Sequence, residues 1–524
     1  MSGDEVCRAS AVALTGLHGT AVTVEAAVSQ QLPGMTIIGL PDAALAEAKL
    51  RVRTATSQAG IALTNRFLTV NLSPAALPKH GAGFDLAIAL AALAASRRLP
   101  ATHLPHIAHL GELSLGGELR RPAGLLSAVV AAQRLGFQRV MVPAACGAEA
   151  ALVPDIEVIA VGTLAEAVAW YREGCPPHRI VTPAAPRDRA VSGSGPDGAA
   201  AAHLGDISEI IGQADAVQAL VIAAAGRHHL SLVGPPGAGK TLLATRLPTL
   251  LPELTDAEAL EVSSIASLGG RPLTELVRRP PLESPHHTAS AAAIIGVGTG
   301  NIVRPGAVTR AHHGVLLMDE APEFPRAVLD ALRQPLETGT VEIHRSQIRT
   351  TLPARVQLVL AANPCPCGNA GSPDTALECR CTPSARVKYQ HRVSGPLADR
   401  IDLRLALHRV SRVHRADPEH GPPSSATLQR SVRRARARAA DRLRGTPWRV
   451  NAEVPGRWLR APGQQLSRAD TAVLDGALAR GSLTLRGYDR ALRVAWTIAD
   501  LAGRERPRRD DIAQALVLRN GVGT

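Results

Sequence analysis

Aromatic side chains are almost missing: Phe, Trp and Tyr together make up 2% of the 524 residues. Ala, Val and Leu must therefore fill the cores, because apolar residues still reach 45% of the chain. Long apolar runs are missing as well. The longest, residues 84–95, contains Asp85 and falls short of the roughly 20 residues that cross a bilayer. Residues 1–10 lack the apolar stretch of a secretion signal, so no membrane is expected as a partner and the expected location is cytoplasmic. Lysine is the third scarcity: Lys49, Lys79, Lys240 and Lys388 are the only four among 58 basic residues. Arginine supplies positive charge almost everywhere else.

One of those four lysines lies in the stretch around which the chain is organised. Gly234-Pro235-Pro236-Gly237-Ala238-Gly239-Lys240-Thr241 follows the apolar residues Leu230, Leu232 and Val233 and precedes the helical pattern Leu242, Leu243, Ala244 and Leu247. It fits the phosphate-binding loop G-x-x-x-x-G-K-[ST] at every position. The glycines let the backbone N–H groups turn toward an anion, and the helix that follows aims its positive end at the same place. Lys240 then meets the terminal phosphates of ATP and Thr241 meets Mg²⁺. A planar guanidinium could not follow the phosphates into such a loop, which explains a lysine in a chain that favours arginine.

Downstream, Val315-Leu316-Leu317-Met318-Asp319-Glu320 reads as a buried parallel strand that delivers two acids at its C-terminal tip. Asp319 is expected to hold Mg²⁺ through water and Glu320 to polarise the attacking water. Residues 356–363 repeat the pattern with Asn363 at the tip, either a γ-phosphate sensor or a plain turn residue. Arg400, within Gly395–Leu403, is either a partner for Asp399 or Asp402 or an arginine finger that reaches a neighbouring subunit's ATP.

The remaining signals are weaker. A net charge of +13 suits a nucleic-acid partner. Cys7, Cys146 and Cys175 are scattered, whereas Cys365-x-Cys367 and Cys379-x-Cys381 lie eleven residues apart. Those four are either a tetrahedral Zn²⁺ site or four reduced structural thiols. Adjacent histidines at 286–287 and 312–313 would point to opposite faces of a strand, which argues against shared ligation. The Gly-rich passage 285–300 and the hairpin-like 339–349 are insertions, and Arg345 and Arg349 in the second either grip phosphates or sit as solvated charges. The basic run from Arg430 to Arg444 is expected to be a solvated helix face, with DNA contact as the lesser alternative.

These pieces divide the chain into residues 1–185, a Gly/Ser/Pro-rich flexible linker at 186–203, an ATPase core at 204–410 and a helical C-terminal part at 411–524. The first part mixes short strands with helices and resembles the Lon-protease-like domain through Pro78-Lys79-x-Gly81 and Gly111-Glu112-x-x-Leu115-x-Gly117. On that resemblance Gly83 stands where the protease has its serine and Leu126 where it has its lysine, so the domain is expected to be non-proteolytic. The order from phosphate loop through Met318-Asp319-Glu320, Arg333–Glu337, Asn363–Gly368 and Asp399–Asp402 resembles the Mg-chelatase-like AAA+ ATPases of the ComM/YifB family.

This resemblance implies an α/β protein: a Lon-protease-like α+β domain, a central AAA+ P-loop domain on a parallel sheet, and a helical lid. It also implies a homo-oligomer, a hexameric ring, that translocates on single-stranded or branched DNA and promotes branch migration in homologous recombination and natural transformation. The lid's second sensor arginine maps to Arg486, with Arg490 as the substitute. Two other readings compete. A metal-insertion motor like the magnesium chelatase subunit requires a large porphyrin-binding partner, and an ATP-dependent protease or protein remodelling factor requires degradation or unfolding of protein.

Overall fold

Alternating burial in the first strands builds the N-terminal sheet. β1 (Cys7–Thr15) and β2 (His18–Ser29) form an antiparallel hairpin, and β3 (Gly34–Ile38) and β4 (Phe67–Ser73) extend it from β2 outward. On the other side β5 (Ile107–His109) pairs parallel to β1; the short hairpin of β6 (Glu112–Leu113) and β7 (Leu119–Arg120) follows it in the chain. β8 (Arg139–Pro143) and β9 (Glu157–Val161) complete a seven-stranded sheet in the order β3-β4-β2-β1-β5-β8-β9. The computed structural model describes residues 6–39, 42–74, 82–174, 205–299, 302–345, 348–370, 376–393, 395–410 and 422–521. The predicted linker and the Pro78-Lys79-x-Gly81 loop lie outside those residues.

The helix Asp85–Ala95 is apolar all round and is buried along almost its whole length against β1 and β2. Asp85, the acid that interrupts the longest apolar run, is buried too. Arg51 grips its carboxylate with two hydrogen bonds of 2.7 and 3.3 Å, and the Leu113 N–H adds a third at 3.3 Å. Burial nevertheless pushes the Asp85 carboxyl up to about 6.

The N-terminal region is fastened to the ATPase core by polar contacts between the helices Leu125–Arg134 and Asp256–Leu268. Arg121 holds Glu149 through two bonds of 2.9 Å and also donates to Ser267 Oγ at 3.1 Å. Ser267 Oγ in turn donates to Glu149 at 2.7 Å and accepts the Leu126 N–H at 3.1 Å. Leu126 is thus fully buried beneath the core, and neither it nor Gly83 brings a nucleophile or a base.

In the core β10 (Leu230–Val233), β11 (Leu282–Glu283), β14 (Val315–Met318), β17 (Gln357–Ala362) and β18 (Leu403–Ala406) form a parallel sheet in the order β11-β14-β17-β10-β18. β14 and β17 are buried at every position, as strands covered on both faces must be. Two hairpins leave this layer: β12 (Gly296–Thr299) with β13 (Ile302–Pro305), and β15 (Thr340–Arg345) with β16 (Ile348–Pro353). Thr350 of β16 donates to the Thr15 carbonyl at 3.1 Å, so the second hairpin rests on the N-terminal sheet's first turn. Arg349 is exposed on it, while residues 346–347 and the Arg345 side chain lie outside the described residues.

Residues 422–521 are helical, with the long elements Ser425–Arg442, Arg468–Ala479, Leu485–Leu501 and Arg509–Asn520. The basic helix is only partly the solvated face expected of it. Arg436 donates to the Ala224 carbonyl at 2.7 and 3.1 Å, and Arg438 donates to the Asp500 carbonyl at 2.8 Å. Arg442 pairs with Asp500 and lies over the Trp496 ring at 4.4 Å. Arg430, Arg433, Arg434 and Arg444 remain exposed. Neutral helical spacing in the sequence hid this division, because the partners are distant in the chain.

Burial pushes His109, His229 and His312 down to about 4. Each is a neutral ring held by hydrogen bonds: His109 by the Ser10 carbonyl at 2.9 Å and Tyr171 Oη at 2.7 Å, His229 by the Leu358 N–H at 3.0 Å, His312 by the Arg355 N–H at 3.0 Å. Unfolding releases them to their ordinary value of 6.5, so the stability they contribute is complete above pH 6.5 and is lost as pH falls toward 4. Asp85 has the opposite sign, since its folded carboxyl binds a proton near pH 6, before an unfolded one at 3.8. It offsets one proton of the three, and the loss dominates. The thermal midpoint should therefore fall between pH 7.5 and pH 5 in scans at matched ionic strength; an unchanged midpoint would contradict buried neutral histidines.

Candidate active site

Parallel pairing brings the C-terminal tips of β10, β14 and β17 to one edge. Val233 lies opposite Ala362, and Met318 opposite Leu360, so the phosphate loop, Asp319-Glu320 and Asn363 are neighbours there. The loop 234–239 turns from β10 into the helix Lys240–Leu250 through Gly237 and Gly239, both at φ +80°, a backbone region that side chains disfavour. Gln213 Nε2 donates to the loop carbonyl of Ala238 at 3.4 Å, and Arg409 Nε to that of Pro236 at 3.0 Å.

Lys240 Nζ donates to the carbonyls of Gly234 at 2.8 Å and Pro235 at 3.0 Å, and to Asn363 Oδ1 at 3.0 Å. Partial burial lowers the Lys240 ammonium from its ordinary value, while Asp319 and Glu320 act to raise it. Thr241 Oγ1 donates to Asp319 Oδ2 at 2.8 Å. A hydroxyl and a carboxylate meeting at this distance are the hard oxygen donors that Mg²⁺ takes beside a nucleotide, and the residues present fit that ion. Glu320 stands in the left-handed region at φ +52° and ψ 44°, a conformation that costs a non-glycine residue on the order of 1–3 kcal/mol. That turn swings its side chain off the strand direction, and its N–H donates to Asp319 Oδ1 at 2.9 Å.

One contact at this edge had no signal in the sequence. His287 Nδ1 lies 3.3 Å from Glu320 Oε2, and its ring packs edge-on to Phe324 and against His286. The adjacent-histidine argument fails for both pairs, because neither lies in a strand. His312 and His313 follow the helix Ala307–Arg310, and His313 takes φ +57°, so both rings turn to Glu261 with Nε2 atoms 3.1 and 3.3 Å from Oε2. Glu261, His312 and His313 thus bring their ligand atoms within 4.8 Å of one another.

The family model described as "Magnesium chelatase, subunit ChlI" matches residues 206–415, that described as "Magnesium chelatase, subunit ChlI C-terminal" matches 422–519, and "Subunit ChlI of Mg-chelatase" matches 24–146. Competence protein ComM of Haemophilus influenzae is 38% identical over 505 residues, 96% of this chain and 95% of its own length. YifB of Escherichia coli is 39% identical over 494 residues, 93% of this chain and 92% of its own. The chain belongs to the ComM/YifB family of Mg-chelatase-like AAA+ ATPases. Another similar protein, Rv2897c of Mycobacterium tuberculosis, is described as uncharacterized and is 45% identical over 514 residues, 98% of both chains. The N-terminal match carries the chelatase description as well, so that region does not by itself separate the ComM/YifB family from the chelatase subunit.

Arg400 is buried and turned inward; it pairs with Glu337 and donates to the Pro396 carbonyl at 2.5 Å, and Asp399 and Asp402 are not the partners found for it. Asp402 is instead held by Arg490 at 2.6 Å and by the His229 N–H at 3.0 Å. Burial works to raise Asp402, yet Arg490 and the adjacent histidines hold its carboxyl well below the ordinary carboxylate value. Arg490 is thereby engaged in joining the C-terminal helices to the core, while Arg486 is exposed at the start of its helix. Cys365, Cys367, Cys379 and Cys381 come together beside Asn363, with all four Sγ atoms within 4.8 Å of one another. The Asn369 N–H lowers the Cys367 thiol from its usual value.

Proposed function

We propose that the protein is a ring motor, six copies in the working form, that hydrolyses ATP to translocate on single-stranded or branched DNA and promotes branch migration in homologous recombination and natural transformation. The observation that carries the reading is the meeting of Lys240, Thr241, Asp319, Glu320 and Asn363 at one sheet edge. Full-length similarity to a protein named for competence, exposed Arg349 on a hairpin leaving the core, and the net charge of +13 support DNA as the track.

Thr241 and Asp319 would hold Mg²⁺, which would supply neutralisation of the triphosphate's charge there. Lys240 exchanges its present carbonyl and amide oxygens for phosphate oxygens. Glu320 takes the proton of the attacking water, and Asn363 orients that water or the γ-phosphate. Arg400 of a neighbouring copy leaves Glu337 to stabilise charge on the transferring phosphoryl group, and Arg486 reads the same group from the helical lid. The N-terminal region, lacking a serine at Gly83 and a lysine at Leu126, serves as a Lon-like, non-proteolytic scaffold under the hairpin of β15 and β16.

Steady-state hydrolysis measured with and without single-stranded and branched oligonucleotides tests the reading. Severalfold stimulation that fades as salt rises is expected, because phosphate contacts release counterions. Hydrolysis indifferent to every DNA, but stimulated by a porphyrin-binding partner or an unfolded protein, would move the function to metal insertion or protein remodelling.

A further inference from the structure

Four cysteines from two separate C-x-C pairs converge on a point immediately beyond the Asn363 strand tip, a juxtaposition the ATPase chemistry does not use. Cys365 Sγ lies 3.4 Å from Cys367 Sγ and 3.7 Å from Cys379 Sγ, and Cys367 Sγ lies 3.5 Å from Cys379 Sγ. A disulfide would need about 2.05 Å, so none of these pairs is bonded. Four thiolates at about 2.3 Å from a central Zn²⁺ stand about 3.8 Å apart along the edges of a tetrahedron, close to the separations found. The turn after the first pair supplies the further feature such sites need: the Ala370 N–H points at Cys365 Sγ at 3.4 Å, a donor that stabilises thiolate charge.

We propose that Cys365, Cys367, Cys379 and Cys381 bind one structural Zn²⁺, and that the filled site fixes the nucleotide loop from below. The route is short. Asn363 stands two residues before the first ligand and accepts from Lys240. Gly368, in the turn between Cys367 and Ala370, lies so near the phosphate loop that a Cβ on it would stand 2.6 Å from Pro236 Cδ. Gln390 Nε2 donates to the Pro364 carbonyl at 3.3 Å, tying the helix Pro383–Gln390 after the second pair to the same turn. With few apolar residues in segment 364–382 to hold it, ligation replaces a core. Soft tetrahedral S₄ sets favour zinc or iron, and a closed site with no water position gives the ion no direct part in hydrolysis.

The positioning part rests on the nucleotide site described above, and the metal part does not, so they are read separately. Elemental analysis of the full-length reduced protein after gel filtration in metal-free buffer should give about one zinc per chain, against less than about one tenth for Cys367→Ser/Cys379→Ser. Co²⁺ added to metal-stripped wild type should produce the intense visible absorption of a tetrahedral tetrathiolate, a readout that needs no variant to fold. Absence of zinc together with absence of the Co²⁺ colour overturns the site, and stoichiometric iron overturns zinc. Binding of a fluorescent ATP analogue should weaken about tenfold when the metal is stripped and recover when Zn²⁺ is restored. One zinc per chain with unchanged affinity on stripping overturns the positioning role, whereas one zinc with no nucleotide binding in any form means the ATP reading has failed and the metal site stands.

Discussion

Glu320→Gln binds ATP as the wild type does and hydrolyses it about 10²- to 10⁴-fold more slowly, the range that a positioned general base contributes. The amide keeps the size of the side chain and loses only its ability to take a proton. The φ of +52° at residue 320 is a backbone property that the replacement retains, and Asp319 keeps its 2.8 Å bond from Thr241. Rapid-quench hydrolysis and equilibrium nucleotide binding measured on one preparation separate the two effects. Wild-type turnover would remove Glu320 from the mechanism, and lost binding would assign it a role in holding the nucleotide. His287, 3.3 Å from the same carboxylate, can also hold it in place, but it does not lie in the phosphate loop.

Lys240→Ala loses both binding and turnover. In the present conformation the ammonium satisfies three oxygens, of Gly234, Pro235 and Asn363, and the alanine leaves the triphosphate's charge without its nearest cation. Truncating one member of a buried charge pair costs about 2–5 kcal/mol, equivalent to about 30- to 4000-fold in nucleotide affinity. Isothermal titration with ATP and Mg²⁺ measures it; an affinity within twofold of wild type would mean the loop does not cradle phosphate. Lys240→Arg distinguishes charge from shape, since a guanidinium retains the one and not the other.

The nucleotide edge was readable because its parts are local patterns. A loop motif between a strand and a helix, and apolar runs ending in Asp319-Glu320 or Asn363, announce themselves within eight residues. The parallel sheet that brings those tips together follows from the same buried strands. Contacts between distant segments carry no such period. Arg400 offered Asp399 and Asp402 as neighbours in the chain, yet folding brings Glu337 to it. Arg436 looked like one more solvated charge and instead seals the Ala224 carbonyl. The passage 285–300 reads as a Gly-rich insertion; folded, Ser290 caps the helix Ala291–Ile295, and Gly296 and Gly298 lie in β12. Strand geometry would turn His312 and His313 apart, whereas a left-handed turn at residue 313 sets both rings on Glu261. The cysteine cluster was visible as spacing alone; only folding shows that it lies against the phosphate loop.

Branch migration by the purified full-length protein on a synthetic three-stranded junction, with ATP and Mg²⁺, tests the central claim most directly. Wild type should displace the strand in proportion to ATP consumed, with Glu320→Gln assembled on the same junction but inert. Junctions left intact while ATP is hydrolysed, or resolved equally well by Glu320→Gln, would contradict a motor driven from this site.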